Sequence, residues 1–205
     1  NLYYVDEDLE GYLKEIANKM EILSPIEKKT DVIFFYDGFG LNSRGLAQIY
    51  IKALCQIKKV IYITYEDCKE NIPDIQNIIN KNDGRILYIN RSQKKYTEQI
   101  LQLCSFASEF KPHDFFFYSF PNDVVGVTSL NILEGKVTRY QINLTDHAFW
   151  LGARCIDKCI EFRDYGANVS VKYRGISKNI IAKLPFYPII NKDIPFQGFP
   201  FRIVN

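Results

Sequence analysis

Apolar residues fall along this chain in two alternating rhythms. Short runs that are almost wholly apolar lie at Val32 to Tyr36, Val60 to Tyr65, Ile86 to Ile89 and Phe115 to Tyr118. Runs of this length without polar alternation predict strands covered on both faces. Between them apolar residues return every three or four positions, the spacing of one helix face. One such set is Leu46, Ala47, Ile49, Tyr50, Ala53, Leu54 and Ile57; others are Ile75, Ile78 and Ile79, then Ile100, Leu101, Cys104, Ala107 and Phe110, then Val124 to Leu133. The punctuation agrees. Pro73 follows Asn71–Ile72 near a helix start, Asp83–Gly84 is a turn, Pro112 closes a helix and Pro121–Asn122–Asp123 opens the next. Gly135 leads into a strand from Val137 to Asn143, and the loop LTDHAFWLG, residues 144–152, follows. Beyond it the rhythm predicts a short helix, a strand at Ile160 to Arg163, a short helix from Gly166 and an extended piece near Ile180 to Leu184.

Ahead of the first strand, residues 3–23 predict a separate helix. Leu9, Leu13, Ile16, Ala17, Met20 and Leu23 keep the helical period, and Asp6, Glu7, Asp8 and Glu10 sit where the helix dipole favours acids. Ser24–Pro25 is the expected stop. No internal repeat or low-complexity tract appears. The fold expected is therefore α/β: a Rossmann-like, mostly parallel sheet with helices on both faces, plus an appended N-terminal helix. Such sheets bind ligands at the carboxyl ends of their strands. That rule selects the loops at 37–45, 66–71, 119–123, 144–152 and 164–168.

Composition narrows the function. The 205 residues are 47% apolar and 15% aromatic, enough for a substantial core, and the net charge of +2 argues against a general nucleic-acid binder. The lysine pairs 28–29, 58–59 and 94–95 read as solvated turns or helix ends. Five cysteines, an odd number without framework spacing, suit buried thiols in a reducing compartment. Cys155 and Cys159 could share a metal if they lay on one helix, but no histidine or second cysteine pair completes a set, so neither metal nor cofactor is expected. No apolar run approaches the ~20 residues of a membrane span, and no signal peptide is visible. The expected location is cytoplasmic. Starting at Asn1 and ending within an apolar phrase, the sequence reads as part of a longer protein.

Three groups of residues could carry chemistry. The first is the turn after the opening strand, with Asp37, Gly38, Gly40, Asn42, Ser43, Arg44 and Gly45. Strand, glycine turn and helix together can cradle an anion on backbone N–H groups. The spacing is not the dinucleotide fingerprint, because Ser43 holds the third glycine position, and a Walker lysine is missing. Glu66, at the end of the second strand, could bind a ribose and keeps a nucleotide reading open. The turn is either such a cradle, with Arg44 adding charge, or a tight connection without a ligand. The second group is Asp146 and His147 with Phe149 and Trp150, the only tryptophan. Aromatic faces pack on sugar rings while His and Asp bond hydroxyls; alternatively Trp150 anchors a structural loop. His113, beside Pro112, reads as a capping or surface residue. The third is a basic and aromatic patch of Arg163, Tyr165, Lys172, Arg174 and Lys178. It is expected to be solvated surface, or, if it faces the cleft, to meet an anionic acceptor or a membrane phosphate.

The segment GFGLNSRGLAQIYIKALCQIKKVIYIT resembles the glycine-rich opening of GT-B-fold glycosyltransferases of the glycosyl transferase group 1 type. The NLTDHAFW loop resembles that family's strand-end histidine, and IIAKLPFYPII resembles the exit toward its second domain. The resemblance spans residues 31–190, with one departure: the family's adjacent glycines are separated here as Gly38 and Gly40. It implies residues 1–30 as an appended helix, 31–190 as the acceptor-side N-terminal domain and 191–205 as the start of an interdomain linker. The donor-binding C-terminal domain, with its E-x7-E motif, would be missing. The implied partners are a nucleotide-sugar donor and a sugar or lipid-linked acceptor in glycan or polysaccharide assembly, without nucleic acid and with peripheral association at the inner face of the membrane. The implied site places His147 and Asp146 in catalysis and Gly38, Gly40, Asn42, Arg44, Trp150 and Tyr165 at the substrate. Two other readings stand beside it: a stand-alone nucleotide-binding module such as an NAD-dependent oxidoreductase, and a noncatalytic scaffold domain.

Overall fold

The computed structural model describes residues 4–22, 25–26, 31–42, 45–92 and 95–184. Its strands are β1 (Val32–Asp37), β2 (Lys59–Tyr65), β3 (Arg85–Ile89), β4 (Asp114–Tyr118), β5 (Thr138–Ile142), β6 (Lys158–Glu161) and β7 (Ile181–Lys183). The helices are α1 (Glu7–Lys19), α2 (Gly45–Cys55), α3 (Pro73–Lys81), α4 (Tyr96–Phe110), α5 (Val124–Ile132) and α6 (Asp164–Arg174). All seven strands pair in parallel, in the order β3-β2-β1-β4-β5-β6-β7. The fold is α/β and Rossmann-like.

β1 and β4 form the middle of the sheet, where Phe34 lies between Ile61 and Phe115. Alternate residues feed two cores. Phe34, Tyr36, Phe115 and Phe117 pack with side chains of α1, α4 and α5; Ile33, Phe35, Phe116 and Tyr118 pack with those of α2 and α3. Burial on both faces is why these strands carry no polar alternation. Each buried Phe or Ile removes enough apolar surface to stabilise the fold by about 1.5–3 kcal/mol. The chain leaves β1 toward one face and β4 toward the other. This is the topological switch point, and a crevice opens there between the two turns.

Several boundaries differ from the sequence reading. α1 runs over Glu7–Lys19 rather than 3–23, because the Asp6 carboxylate caps it by accepting from Leu9 N–H, and it ends at Met20. Nor is it an appendage. It packs along α5, and the buried Glu10 carboxylate accepts the N–H groups of Gly152, Ala153 and Arg154 at 3.1, 3.1 and 2.8 Å. The short helix expected after residue 152 is absent: Cys155 lies in a turn and Cys159 on β6, so the two are not neighbours on one helix face. β6 starts earlier than predicted and α6 begins at Asp164 rather than Gly166. The proline-bracketed exit after Leu184, the boundary at 190 and the linker at 191–205 lie outside the described residues.

Candidate functional site

The glycine turn after β1 is closed on itself. Asp37 is fully buried, and its Oδ1 accepts from Phe39 N–H at 2.9 Å and Gly40 N–H at 3.0 Å. Its Oδ2 accepts from the Tyr62 hydroxyl at 2.7 Å, and its carbonyl from Thr64. Gly38 N–H donates to Tyr118 O at 2.9 Å. The amides that would cradle a phosphate are thus committed within the chain, and the Asp37 carboxylate occupies the acceptor role a bound anion would take. The glycines answer to packing. A Cβ on Gly38 would lie 1.8 Å from Ser119 Oγ, and Gly40 has φ +56° with Cys68 where a side chain would point. Asn42, expected at the substrate, instead caps α3: its Oδ1 accepts from Asp74 and Ile75 N–H, and its Nδ2 donates to the Asp74 carboxylate. Arg44 lies outside the described residues.

The turn after β4 meets the turn after β1. Asp123 caps α5 by accepting from Gly126 N–H, and also accepts from the hydroxyls of Ser119 and Tyr36. Burial raises its carboxyl above the ordinary value, against the pull of these donors. Tyr36 and Tyr65 share a hydroxyl contact of 2.8 Å. Burial, above all, keeps both phenols protonated well past neutral pH, so they stay donors.

The loop after β5 turns its two candidate catalytic residues in opposite directions. His147 is exposed and makes no hydrogen bond to another described residue. Asp146 is buried at 3% exposure, and its Oδ2 accepts from Arg163 Nε at 2.6 Å. Asp146, expected in catalysis, thus faces inward with its carboxylate paired to Arg163. Arg174, expected on the surface with Arg163 and Lys172, is corrected: it is fully buried. Its Nη2 donates to the carbonyls of Thr145, Asp146 and Ala148 at 2.9, 3.0 and 2.7 Å. Its guanidinium lies 5.0 Å from the Trp150 ring centroid. A buried cation needs compensation, and Glu161, itself fully buried, faces the same space through Ser170, to which both are bonded. Asn143 donates to both Glu161 oxygens and accepts from Thr145 N–H, tying the loop to β6.

Where the two turns and this loop meet lies a cleft of about 230 Å³. Phe39 and Phe120 form its aromatic wall, their centroids 4.4 Å apart, and Phe120 is 40% exposed. Ser119, Gln141, Asn143 and Thr145 supply its polar groups, and none of the described lining residues is charged. Trp150 lines the cleft but is 3% exposed, held under Arg174, so it does not offer an open stacking face. Two lining side chains keep buried polar atoms without a partner among the described residues: Gln141 Oε1 and Trp150 Nε1. The cleft therefore combines hydroxyl and amide side chains with an aromatic wall.

Other candidates lie elsewhere. Tyr165 is exposed in the first turn of α6 and does not line the cleft. Glu66 is exposed just after β2. His113 immediately precedes β4, at the edge opposite the cleft. All five cysteines are free, and burial pushes their thiols up, Cys104 to about 12, which leaves them poor nucleophiles. Among the described residues no helix is long and apolar enough to cross a membrane. Sequence reasoning selected the 119–123 loop by its place after a strand but missed Phe120. The available signal was a large aromatic between Ser119 and Pro121, directly beyond a strand at the switch point. No protein-family model, curated protein or solved structure matches the chain.

Proposed function

We propose that this chain is the acceptor-binding N-terminal domain of a GT-B-type glycosyltransferase, which moves a sugar from a nucleotide diphosphate-sugar to a hydroxyl acceptor in glycan assembly. The observation that carries the reading is the uncharged cleft at the switch point, with its aromatic wall and hydroxyl and amide floor. A sugar ring has apolar C–H faces and hydroxyls that both donate and accept. Phe120 suits the former; the hydroxyl and amide side chains that line the cleft suit the latter. His147, on the loop that borders the cleft, would orient the acceptor or bond the transferred sugar. The acceptor oxygen would form the new bond to the anomeric carbon while the nucleoside diphosphate departs with the bonding electron pair and the hydroxyl proton. Positioning and stabilisation of that leaving group would supply much of the rate. The donor would be held by a second domain. The dinucleotide alternative has less support, because the amides it needs are already bonded to Asp37 and Tyr118.

Amide-resolved NMR titration tests the reading. Methyl β-glucoside should shift the resonances of Phe39, Phe120 and Gln141 with a Kd of ~1–10 mM, the weak range of one shallow subsite. In the complete two-domain protein, His147→Ala should lower transfer at least ~100-fold while leaving thermal stability unchanged. Tight NAD binding that disappears in Glu66→Ala would overturn the proposal in favour of an oxidoreductase.

A further inference from the structure

Phe120 walls two clefts. Beyond the neutral one lies a second, of about 300 Å³, bounded by Tyr65, Arg91, Tyr96, Gln99, Asn122 and Asp123. Its character differs. Arg91 is its only described cation, with the guanidinium held 4.4 Å from the Tyr65 ring centroid. Nε and Nη2 of Arg91 donate to Asp67 Oδ2 at 2.9 and 2.6 Å, an ion pair with both side chains 40% or more exposed. Such pairs are weak and readily exchanged. Nη2 also reaches Cys68 Sγ at 3.9 Å, a weak contact, while Nη1 makes no hydrogen bond to another described residue, so Nη1 is available to a ligand. The one acid that lines this cleft, Asp123, has its oxygens taken up by Tyr36, Ser119 and Gly126 N–H. Tyr96 and Gln99 come from the first turn of α4, where the helix dipole also favours a negative ligand.

We propose that this second cleft is a subsite for a carboxylate-bearing sugar ring, so that the acceptor crosses Phe120 and is at least two rings long. The inference rests on the sugar-binding reading of the first cleft and adds a length and a charge to it. A planar guanidinium with Nη1 available, and Nη2 held outside Asp67 only by a weak sulfur contact, suits a carboxylate. One aromatic shared by two clefts can pack against adjacent rings of one chain. Arg91 then selects among acceptors by charge, and Phe120 joins the subsites.

A matched pair of probes tests this on the chain as it stands. Cellobiose and cellobiouronic acid differ by one carboxylate, and both are titrated by NMR. Cellobiouronic acid should bind at least five-fold tighter than cellobiose, and its shifts should extend from Phe120 and Gln141 to Tyr65, Arg91 and Tyr96. Arg91→Gln should abolish that advantage and leave cellobiose unchanged; the unchanged cellobiose titration checks directly that the variant is folded. Equal affinities, an advantage that survives in Arg91→Gln, or inorganic phosphate binding the cleft as tightly as the disaccharide would overturn the proposal. Cellobiose binding at the first cleft with no gain from the carboxylate would sink this inference alone. Failure of both disaccharides to shift either cleft would count against both readings.

Discussion

Asp37 and Asp123 place carboxylates where two turns would otherwise have open amides, and Gly38 is the residue that lets those turns touch. Its missing Cβ leaves room for Ser119 Oγ. Gly38→Ala should therefore destabilise the fold by about 1–3 kcal/mol, the usual range for overpacking, as read by urea unfolding. Adding Ser119→Ala should recover part of that loss. The sequence could not distinguish this turn from an anion cradle, because both need glycines at the same spacing. What separates them is a contact with Ser119, supplied by β4 from far along the chain. Arg174 misled for a similar reason: a basic residue in the last turn of a helix is usually solvated, and nothing local announces the carbonyls that surround it. Glu161 gives a titratable handle on the same cluster. Burial raises its carboxyl above the ordinary 4.5, while bonds from Ser170 and Asn143 pull it down. The folded chain then holds this proton at pH values where the unfolded chain has released it. Stability from this group is full below about 4.5 and is lost as pH rises through the raised value. Relative to wild type, Glu161→Gln should gain stability as pH is raised from acid to neutral. A pH-independent difference would show that Glu161 ionises normally.

Among the elements, the 144–152 loop owes its shape to neighbours on every side. α6 holds it through Arg174, β6 through Glu161 and Asn143, and α1 through Glu10. His147 is the residue this scaffold leaves outward. Glu10→Ala would strand three amide donors at Gly152, Ala153 and Arg154 in a largely buried turn. Leaving buried donors unpaired costs about 1–3 kcal/mol. We expect a loss of that order in thermal or urea unfolding, together with a red shift in the emission of Trp150, the only tryptophan, as the adjoining turn loosens. An unchanged spectrum and midpoint would mean that α1 rides on the domain without organising it. The helix itself was legible from its period and acidic start. Its partnership was not, because amphipathicity says that a face is covered and is silent about which distant turn its one buried acid will cap.

At the scale of the whole molecule, strand type and order of elements were readable because double burial writes itself into composition: β1 and β4 are nearly all aromatic or aliphatic. The rule that parallel sheets bind ligands at the carboxyl ends of their strands selected loops that border the cleft. The region after residue 152 was read less well, since its short segments depend on Glu161, Arg174 and Glu10 more than on local periodicity. The bond from Glu10 to Gly152 also has a consequence in time. The two residues are 142 positions apart. At synthesis rates of about 5–20 residues per second, roughly 7–30 s separate the appearance of α1 from that of the turn it caps. Until α5, along which α1 packs, has followed, Leu13 and Ala17, which end in the core, lack that cover. α1 is made before every other described helix and its turn contact forms late, so a nascent chain stalled before residue 124 should offer that apolar stripe to a chaperone.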